Sequence, residues 1–442
     1  MTASRLSSPS VVPNRLQAFG NDTSGSINLI FCGALFFLIA VLGGAVDMGN
    51  AYKLREQLMA AADSASLTAV VAGSPGMLAA AAMTTDGHVP VAETEAVSAF
   101  YGEVAGQVDH MQPGGLARVI KTGSSVASTV SFTVQMPTHF LGLFGMSFLT
   151  IDGHVTSVSG TPPFIDFYLL LDNSPSMGIA ATPADAETMV ANTPDQCAFA
   201  CHEADKEGHD YYTLAHNLGV NTRIEVLRQA TQKLMDTAAG TATVPNQFRM
   251  SIDTFNRTIH AISPLTANLT SAKADAAAID LMEVPAQSWN NDRDTDFDHV
   301  LPQLAAKVPA SGTGLTTADT QKVVFLVTDG VEDTVASNAP NVLGGASSFP
   351  GGDRLIQAFD ASLCTSMKAR GIKIAVIYTT FVPLPTNGFY TNYVQPWQDQ
   401  INPKIKACAS PGYFFEVSPS QGIDEAMTTL FHKAVAEARI TS

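Results

Sequence analysis

Asp172, Ser174 and Ser176 alternate in the run Asp172-Asn173-Ser174-Pro175-Ser176, and a tight loop with that spacing can turn one carboxylate and two hydroxyls toward a single ion. Oxygen donors of this kind suit hard divalent cations: Mg²⁺ first, with Mn²⁺ or Ca²⁺ as alternatives. The same residue types also close turns and cap helices, so the five residues decide nothing alone. Two later segments add to them. Thr328-Asp329-Gly330 places a second carboxylate after the apolar run Lys322 to Val327. Asp294-Thr295-Asp296-Phe297 places a hydroxyl where a loop meets the helical pattern of Val300, Leu301 and Leu304.

These groups need elements to hold them. Phe167 to Leu171 is a continuous apolar run, the pattern of a central strand, and Lys322 to Val327 is a second one. Ile224, Leu227, Ala230 and Leu234 recur at helical spacing in a segment reaching Ala239. Phe248 to Phe255, Ile372 to Thr379 and Tyr413 to Val417 read as further strands. Strands alternating with helices predict a doubly wound α/β domain, with a mostly parallel sheet and helices on both faces. Open sheets of this class place their ligands at the carboxyl ends of the strands.

The D-x-S-x-S loop, the distant threonine and the T-D-G aspartate together resemble the metal-ion-dependent adhesion site of the von Willebrand factor type A domain. The resemblance implies metal ligation by Asp172, Ser174, Ser176, Thr295 and Asp329, and extends to no other residues. It implies that the ion keeps one coordination position open for a carboxylate supplied by a protein partner. The domain is expected over 162–442. Two stretches depart from the family pattern, Gly178 to Asn221 and Phe381 to Gly412, and long insertions of this kind are often functional.

Toward the N-terminus, Ile27 to Val46 carries no charge, and about 20 helical residues just span a hydrocarbon core. A transmembrane anchor is the first reading. A cleavable signal peptide is its rival, because Ala40 to Ala45 offers small residues to a peptidase. Ala51, Leu54, Leu58, Ala61, Ala62, Ala65 and Ala69 continue the helix as a small-sided apolar stripe, suited to packing on its own domain or on a partner subunit. The span, Asp47-Met48-Gly49 and the Ala-Ala-Asp-Ser-Ala-Ser run resemble the N-terminal segment of TadE/TadG-like proteins of the Flp pilus assembly machinery, over Gly25 to Gly73. That resemblance implies a single-pass protein of the bacterial inner membrane. Residues 1–25 would be cytoplasmic, 26–73 would form the anchor and stem, and the remainder would lie outside the membrane, in contact with other pilus assembly subunits. Between anchor and C-terminal domain, 74–160 is expected to be a small α+β, pilin-like region with a helix at Ala92 to Ala105 and strands at Leu116 to Thr122, Ala127 to Met136 and Phe148 to Ser157.

With 24 basic and 40 acidic residues the formal charge is −16, which argues against nucleic acid as a partner. Cys32 falls in the span, leaving Cys197, Cys201, Cys364 and Cys408 for an oxidising compartment. The preferred pairing is Cys197 with Cys201, inside the first insertion, and Cys364 with Cys408, which would tie the second insertion to a helix. A zinc-like site is the rival reading of the first pair, since His202, His209 and His216 recur every seven residues. A haem site is the other, since Cys197 to His202 is one residue longer than a haem attachment motif. No general base paired with a nucleophile is evident, so the expected role is binding and not catalysis. An ion that only holds the loop together, in a structural envelope protein, is the alternative; a metal-dependent hydrolase is a more distant one.

Overall fold

The computed structural model describes residues 26–106, 114–286, 294–335, 346–348, 354–380, 388–417 and 422–441. The chain divides into two compact units: one comprises the chain through Val70 with Pro90–Val119 and Ala127–Val158, the other Val71–Val89, Ile120–Val126 and Ser159–Ser442. The stretch 71–89, read from sequence with the small α+β region, groups with the second unit.

In the first unit α1 (Ser26–Thr68) is a single helix of 43 residues. Its apolar portion beginning at Ile27 is long enough to cross a membrane and almost wholly exposed. Beyond it the stripe Leu54, Leu58, Ala61, Ala62 and Ala65 is buried, and α3 (Pro90–Val104) packs against α1. Of the two readings of the stripe, packing on its own domain is the one seen. The helix ends at Thr68, short of the expected Ala72; α2 (Pro75–Ala82), which belongs to the second unit, starts at a Ser74 cap whose hydroxyl accepts the Met77 N–H. Strands β1 (Gly87–His88), β2 (Gly114–Thr122), β3 (Ser125–Pro137) and β4 (Phe148–Gly160) form one sheet in chain order. In β3, Val126, Val130, Phe132, Val134 and Met136 are buried at alternate positions, the two-residue period of a half-buried strand.

The second unit is built on β5 (Ile165–Asp172), β6 (Phe248–Phe255), β7 (Ile259–Thr266), β8 (Gln321–Thr328), β12 (Lys373–Thr379) and β13 (Phe414–Val417), in the spatial order β13-β12-β8-β5-β6-β7. All neighbouring pairs are parallel except β6 with β7. Along β5 the side chains alternate between two cores. Phe167, Leu169 and Leu171 join Ile224, Leu227 and Leu234 of α6 (Arg223–Thr241) and Phe431 of α11 (Ile423–Thr441). Tyr168 and Leu170 join Phe297, Leu301 and Leu304 of α8 (Phe297–Lys307) and Ile401 and Ile405 of α10 (Ile401–Cys408). That two-sided burial is why β5 reads as an unbroken apolar run. The expected doubly wound α/β architecture is present, and the strand order reverses between β5 and β8.

A small antiparallel sheet, β10-β11-β9, was not legible in sequence: β9 (Val331–Val335), β10 (Ala346–Ser348) and β11 (Arg354–Ala358). The first insertion folds into α4 (Pro183–Asn192) and α5 (Tyr211–Leu218); α7 (Leu269–Asp275) follows β7. Of the second insertion, 381–387 lies outside the described residues. Cys364, just before α9 (Thr365–Ala369), forms a disulfide with Cys408 at the end of α10, as expected, with both residues fully buried. For the 44-residue separation, loop-closure entropy assigns the bond about 4 kcal/mol. The paired Cys364→Ala, Cys408→Ala change should therefore lower the urea midpoint clearly, and an unchanged midpoint would remove the bond from the list of stabilising features.

Candidate metal centre

Asp172 ends β5 and Asp329 follows β8, so the crossover geometry alone brings the two carboxylates to the carboxyl edge of the sheet at its switch point. Both are fully buried. Asp172 Oδ1 accepts the Ser174 N–H at 2.9 Å, and its Oδ2 accepts the Thr328 hydroxyl at 2.6 Å. The Ser174 and Ser176 hydroxyls lie 3.1 Å apart, in a turn closed by the Met177 N–H on the Ser174 carbonyl. Asp329 Oδ1 accepts the Val331 N–H at 3.2 Å, whereas its Oδ2 is buried with no hydrogen-bond partner. Gly330 follows at a φ of +72°, and a Cβ there would stand 2.8 Å from Ile401, so the T-D-G turn needs glycine on both counts.

Electrostatics identify what this arrangement lacks. Burial pushes the Asp172 carboxyl up to about 7, and the charge of Asp329 adds to the effect. Burial also raises Asp329, opposed by the Ser176 hydroxyl, the guanidinium of Arg223 and the Val331 N–H. Two carboxylates without enough positive charge, one with an orphaned oxygen, and neighbouring hydroxyls make up a donor set that fits a hard divalent cation. Among the described residues no group of three or more His, Cys, Asp or Glu side chains is placed to hold a metal. The fit therefore rests on two carboxylates and hydroxyls.

Thr295 reaches this edge by its backbone. It exchanges hydrogen bonds with Asp333 of β9, at 3.1 and 2.9 Å, and stands just before Asp296, the cap of α8. The expected loop-to-helix junction is present. The Thr295 side chain makes no hydrogen bond with Asp172, Ser174, Ser176 or Asp329. Its neighbour Asp294 pairs with Arg257 at 2.9 Å.

Two residues of the site had no role in the sequence reading. Thr328, the first residue of T-D-G, holds Asp172 directly. Arg223 opens α6 and is buried; its Nη2 donates to the Thr380 carbonyl at 2.6 Å, while Nη1 has no partner. Burial lowers its pKa, and the charges of Asp329 and Asp172 oppose that change. The sequence held a signal: Arg223 falls on the same helical stripe as Leu227, Ala230 and Leu234.

The first insertion is laced to the metal loop. Ile179 bridges Phe199, Ala180 bridges Thr222, and the Ala200 N–H donates to the Gly178 carbonyl at 2.9 Å. Backbone and side chain crowd Gly178 so closely that a Cβ would lie 2.7 Å from the Ala200 oxygen and 2.8 Å from Leu281. Gly178→Ala should destabilise the protein by about 1–3 kcal/mol, seen as a lower unfolding temperature; a variant with the wild-type temperature would show that the strand moves aside freely.

Within that insertion two expectations are corrected. Cys197 and Cys201 are free thiols, not a disulfide; a hydrogen bond between them lowers Cys197, and Phe199 N–H approaches the Cys197 sulfur at 3.4 Å. The three histidines do not share a helix face. Asp210 caps a new helix at Tyr211, leaving His202 and His209 outside it; His202 bonds Asp210 at 2.9 Å and His216 bonds Glu225 at 2.8 Å.

Residues 25–83 match the model of the Flp pilus-assembly TadE/G-like family. This segment is TadE/G-like. The exposed apolar stretch of α1, long enough to cross a membrane, lies inside the matched segment. No curated protein matches the chain. Solved structures similar to it include the vWF domain of the type V pili tip protein Mfa5 from Porphyromonas gingivalis, at 11% identity over 63% of this chain and 97% of that one, TM-score 0.37. The conserved hypothetical protein BatB from Bacteroides thetaiotaomicron is 13% identical over 62% and 99%, TM-score 0.33. The PilB minor pilin from Streptococcus sanguinis is 13% identical over 75% and 79%, TM-score 0.34.

Proposed function

We propose that this protein is a membrane-anchored component of a Tad-type pilus assembly or surface-attachment apparatus, and that its C-terminal unit binds a protein partner through a divalent cation, Mg²⁺ in the first instance. Asp172 and Asp329 hold the ion and balance its charge, while Ser174, Ser176 and Thr295 set the geometry. The observation that carries the reading is the buried Asp172–Asp329 pair at the switch point, with Asp329 Oδ2 unpartnered.

Charge counting supports an anionic partner group. Asp172, Asp329 and Arg223 sum to −1; a divalent cation takes the group to +1, and one carboxylate returns it to neutrality. When bound, the ion supplies a Lewis-acidic position that such a carboxylate completes. This is the chemistry of recognition. Among the described residues no histidine hydrogen-bonds Ser174 or Ser176, so the serines serve this reading as ligands and not as nucleophiles. The placement that goes with it is the bacterial inner membrane, with the bulk of the chain extracytoplasmic.

The test is the Asp172→Ala allele at the native locus, scored for surface pili and attachment, with partner capture measured with and without chelator. Loss of attachment and of chelator-sensitive capture, with the protein still in the membrane, is the expected result. Unchanged piliation and adhesion would refute the adhesive reading. Capture indifferent to chelator would leave the ion a purely structural part of the loop.

A further inference from the structure

The turn joining β3 to β4 is apolar where a water-facing hairpin tip would be polar. From Phe140 to Ile151 the sequence holds no charged residue. Leu143 is 70% exposed and Phe148 59%, with Phe144 and Met146 also exposed. Singly exposed apolar residues are ordinary, but a contiguous set marks a surface that is covered by something.

The position of the tip says what covers it. Phe140 lies against Gly43, where a Cβ would be 2.5 Å from its side chain, and Leu141 lies against Gly44. The Phe144 ring stands 5.2 Å from that of Phe36. The tip thus runs along α1 from Asp47 back to Phe36, eleven residues or about 16 Å of helix rise, roughly half of a hydrocarbon core. A surface this far along a membrane span is continuous with the lipid-facing surface of the span itself.

The bonds within the tip go in the direction that lipid requires. Non-helical backbone is tolerated at membrane depth only where its polar groups are satisfied internally. The Asp47 carboxylate accepts the N–H groups of His139, Phe140 and Leu141 at 3.1, 2.9 and 2.8 Å. Leu143, Gly145 and Met146 donate to carbonyls within the tip, and across its base the Thr138 N–H donates to the Ser147 carbonyl and the Thr138 hydroxyl to the Met146 carbonyl. Asp47 itself is buried under the turn.

We propose that the Phe140–Phe148 tip is a second membrane-contacting element, seated in the acyl chains beside α1 in the leaflet entered by the helix's C-terminal half. It fixes the depth and tilt of the anchor, since a helix alone is free to tilt and rotate in the bilayer. The proposal rests on α1 being a membrane span and adds a contact that the anchor alone does not imply.

The test uses the full chain in nanodiscs whose lipids carry bromine in the acyl chains, with tryptophan emission of Leu143→Trp, Leu38→Trp and Leu116→Trp measured above the wild-type signal. Leu38 is on α1 and Leu116 is an exposed position of the sheet. The expected result is blue-shifted emission quenched by bromine for Leu143→Trp, to the same extent as for Leu38→Trp, with Leu116→Trp unaffected. A quenched Leu38→Trp beside a water-exposed Leu143→Trp overturns the proposal and leaves the anchor standing. An unquenched Leu38→Trp overturns both. A Leu143→Trp signal that is shielded only when several copies share a disc assigns the tip to a neighbouring subunit and also overturns it.

Discussion

With chelator present at pH 8, the Asp172→Asn variant is expected to unfold at a higher temperature than the wild type, and with Mg²⁺ added the order reverses. The carboxyl of Asp172 is held up to about 7 against an ordinary 3.8, by burial first and by Asp329 second. A carboxyl raised in this way contributes stability that is complete below about pH 3.8 and is lost as the pH rises through about 7. At pH 8 the ion-free protein therefore carries a buried, ionised Asp172 beside the buried carboxyl of Asp329, whose own pKa burial also raises. At 1.36 kcal/mol per pKa unit, the gap from 3.8 to about 7 is on the order of 4 kcal/mol at most. Asparagine keeps the shape, accepts the Ser174 N–H with its amide oxygen and donates its amide N–H to the Thr328 hydroxyl, which turns from donor to acceptor, and it removes the repulsion. An ion that binds only the folded state stabilises by mass action, and the variant has lost that response. The measurement is a thermal melt of both proteins in chelator and in Mg²⁺. A variant less stable than the wild type in chelator, or equally responsive to Mg²⁺, would show that Asp172 is an ordinary capping aspartate.

Arg223→Met is expected to separate ion binding from partner binding. The guanidinium acts on both Asp172 and Asp329, so it competes with an incoming cation. Without it the carboxylate pair carries −2, a divalent ion neutralises the group fully, and no residual positive charge calls for a partner carboxylate. At an effective dielectric near 20, two unit charges about 8 Å apart interact by about 2 kcal/mol, roughly thirtyfold, which sets the scale of the effect. Mg²⁺ affinity should rise by about that factor while chelator-sensitive partner capture falls by a similar one. Arg223→Lys, which keeps the charge, should restore capture. Both affinities moving together, or neither moving, would count against the charge arithmetic.

What the sequence disclosed follows from which contacts are local. The runs of β5 and β8 are legible because both faces of each strand are buried, and the D-x-S-x-S and T-D-G segments are legible because each sits at the end of such a run. Arg223 lies on the apolar stripe of α6, a sign of burial, but its place in the site was not legible because Thr380, Asp329 and Asp172 come from three distant segments. The β9–β11 sheet was hidden for a similar reason. Val331-Glu332-Asp333-Thr334-Val335 has the composition of a polar loop, yet Asp333 is buried by its paired hydrogen bonds with Arg354, and Glu332 by Gln357. Burial pushes Glu332 up to about 8, aided by Asp298. The seven-residue spacing of His202, His209 and His216 would fit one helix, but Gly208 interrupts it in the sequence, and the Asp210 cap starts a new helix after that break. The tip at Phe140 is shorter than any membrane span, and only its placement along α1 gives its apolar residues a meaning.

The central claim is that Asp172 and Asp329 hold a divalent cation, and calorimetric titration of the full chain in detergent with Mg²⁺, repeated with Asp172→Ala, tests it most directly. The account predicts one ion per chain for the wild type and an affinity lower by at least about 100-fold for the variant, the scale reached when even supporting residues of a metal site are removed. A wild type that takes up no ion, or a variant that binds as tightly, would contradict it.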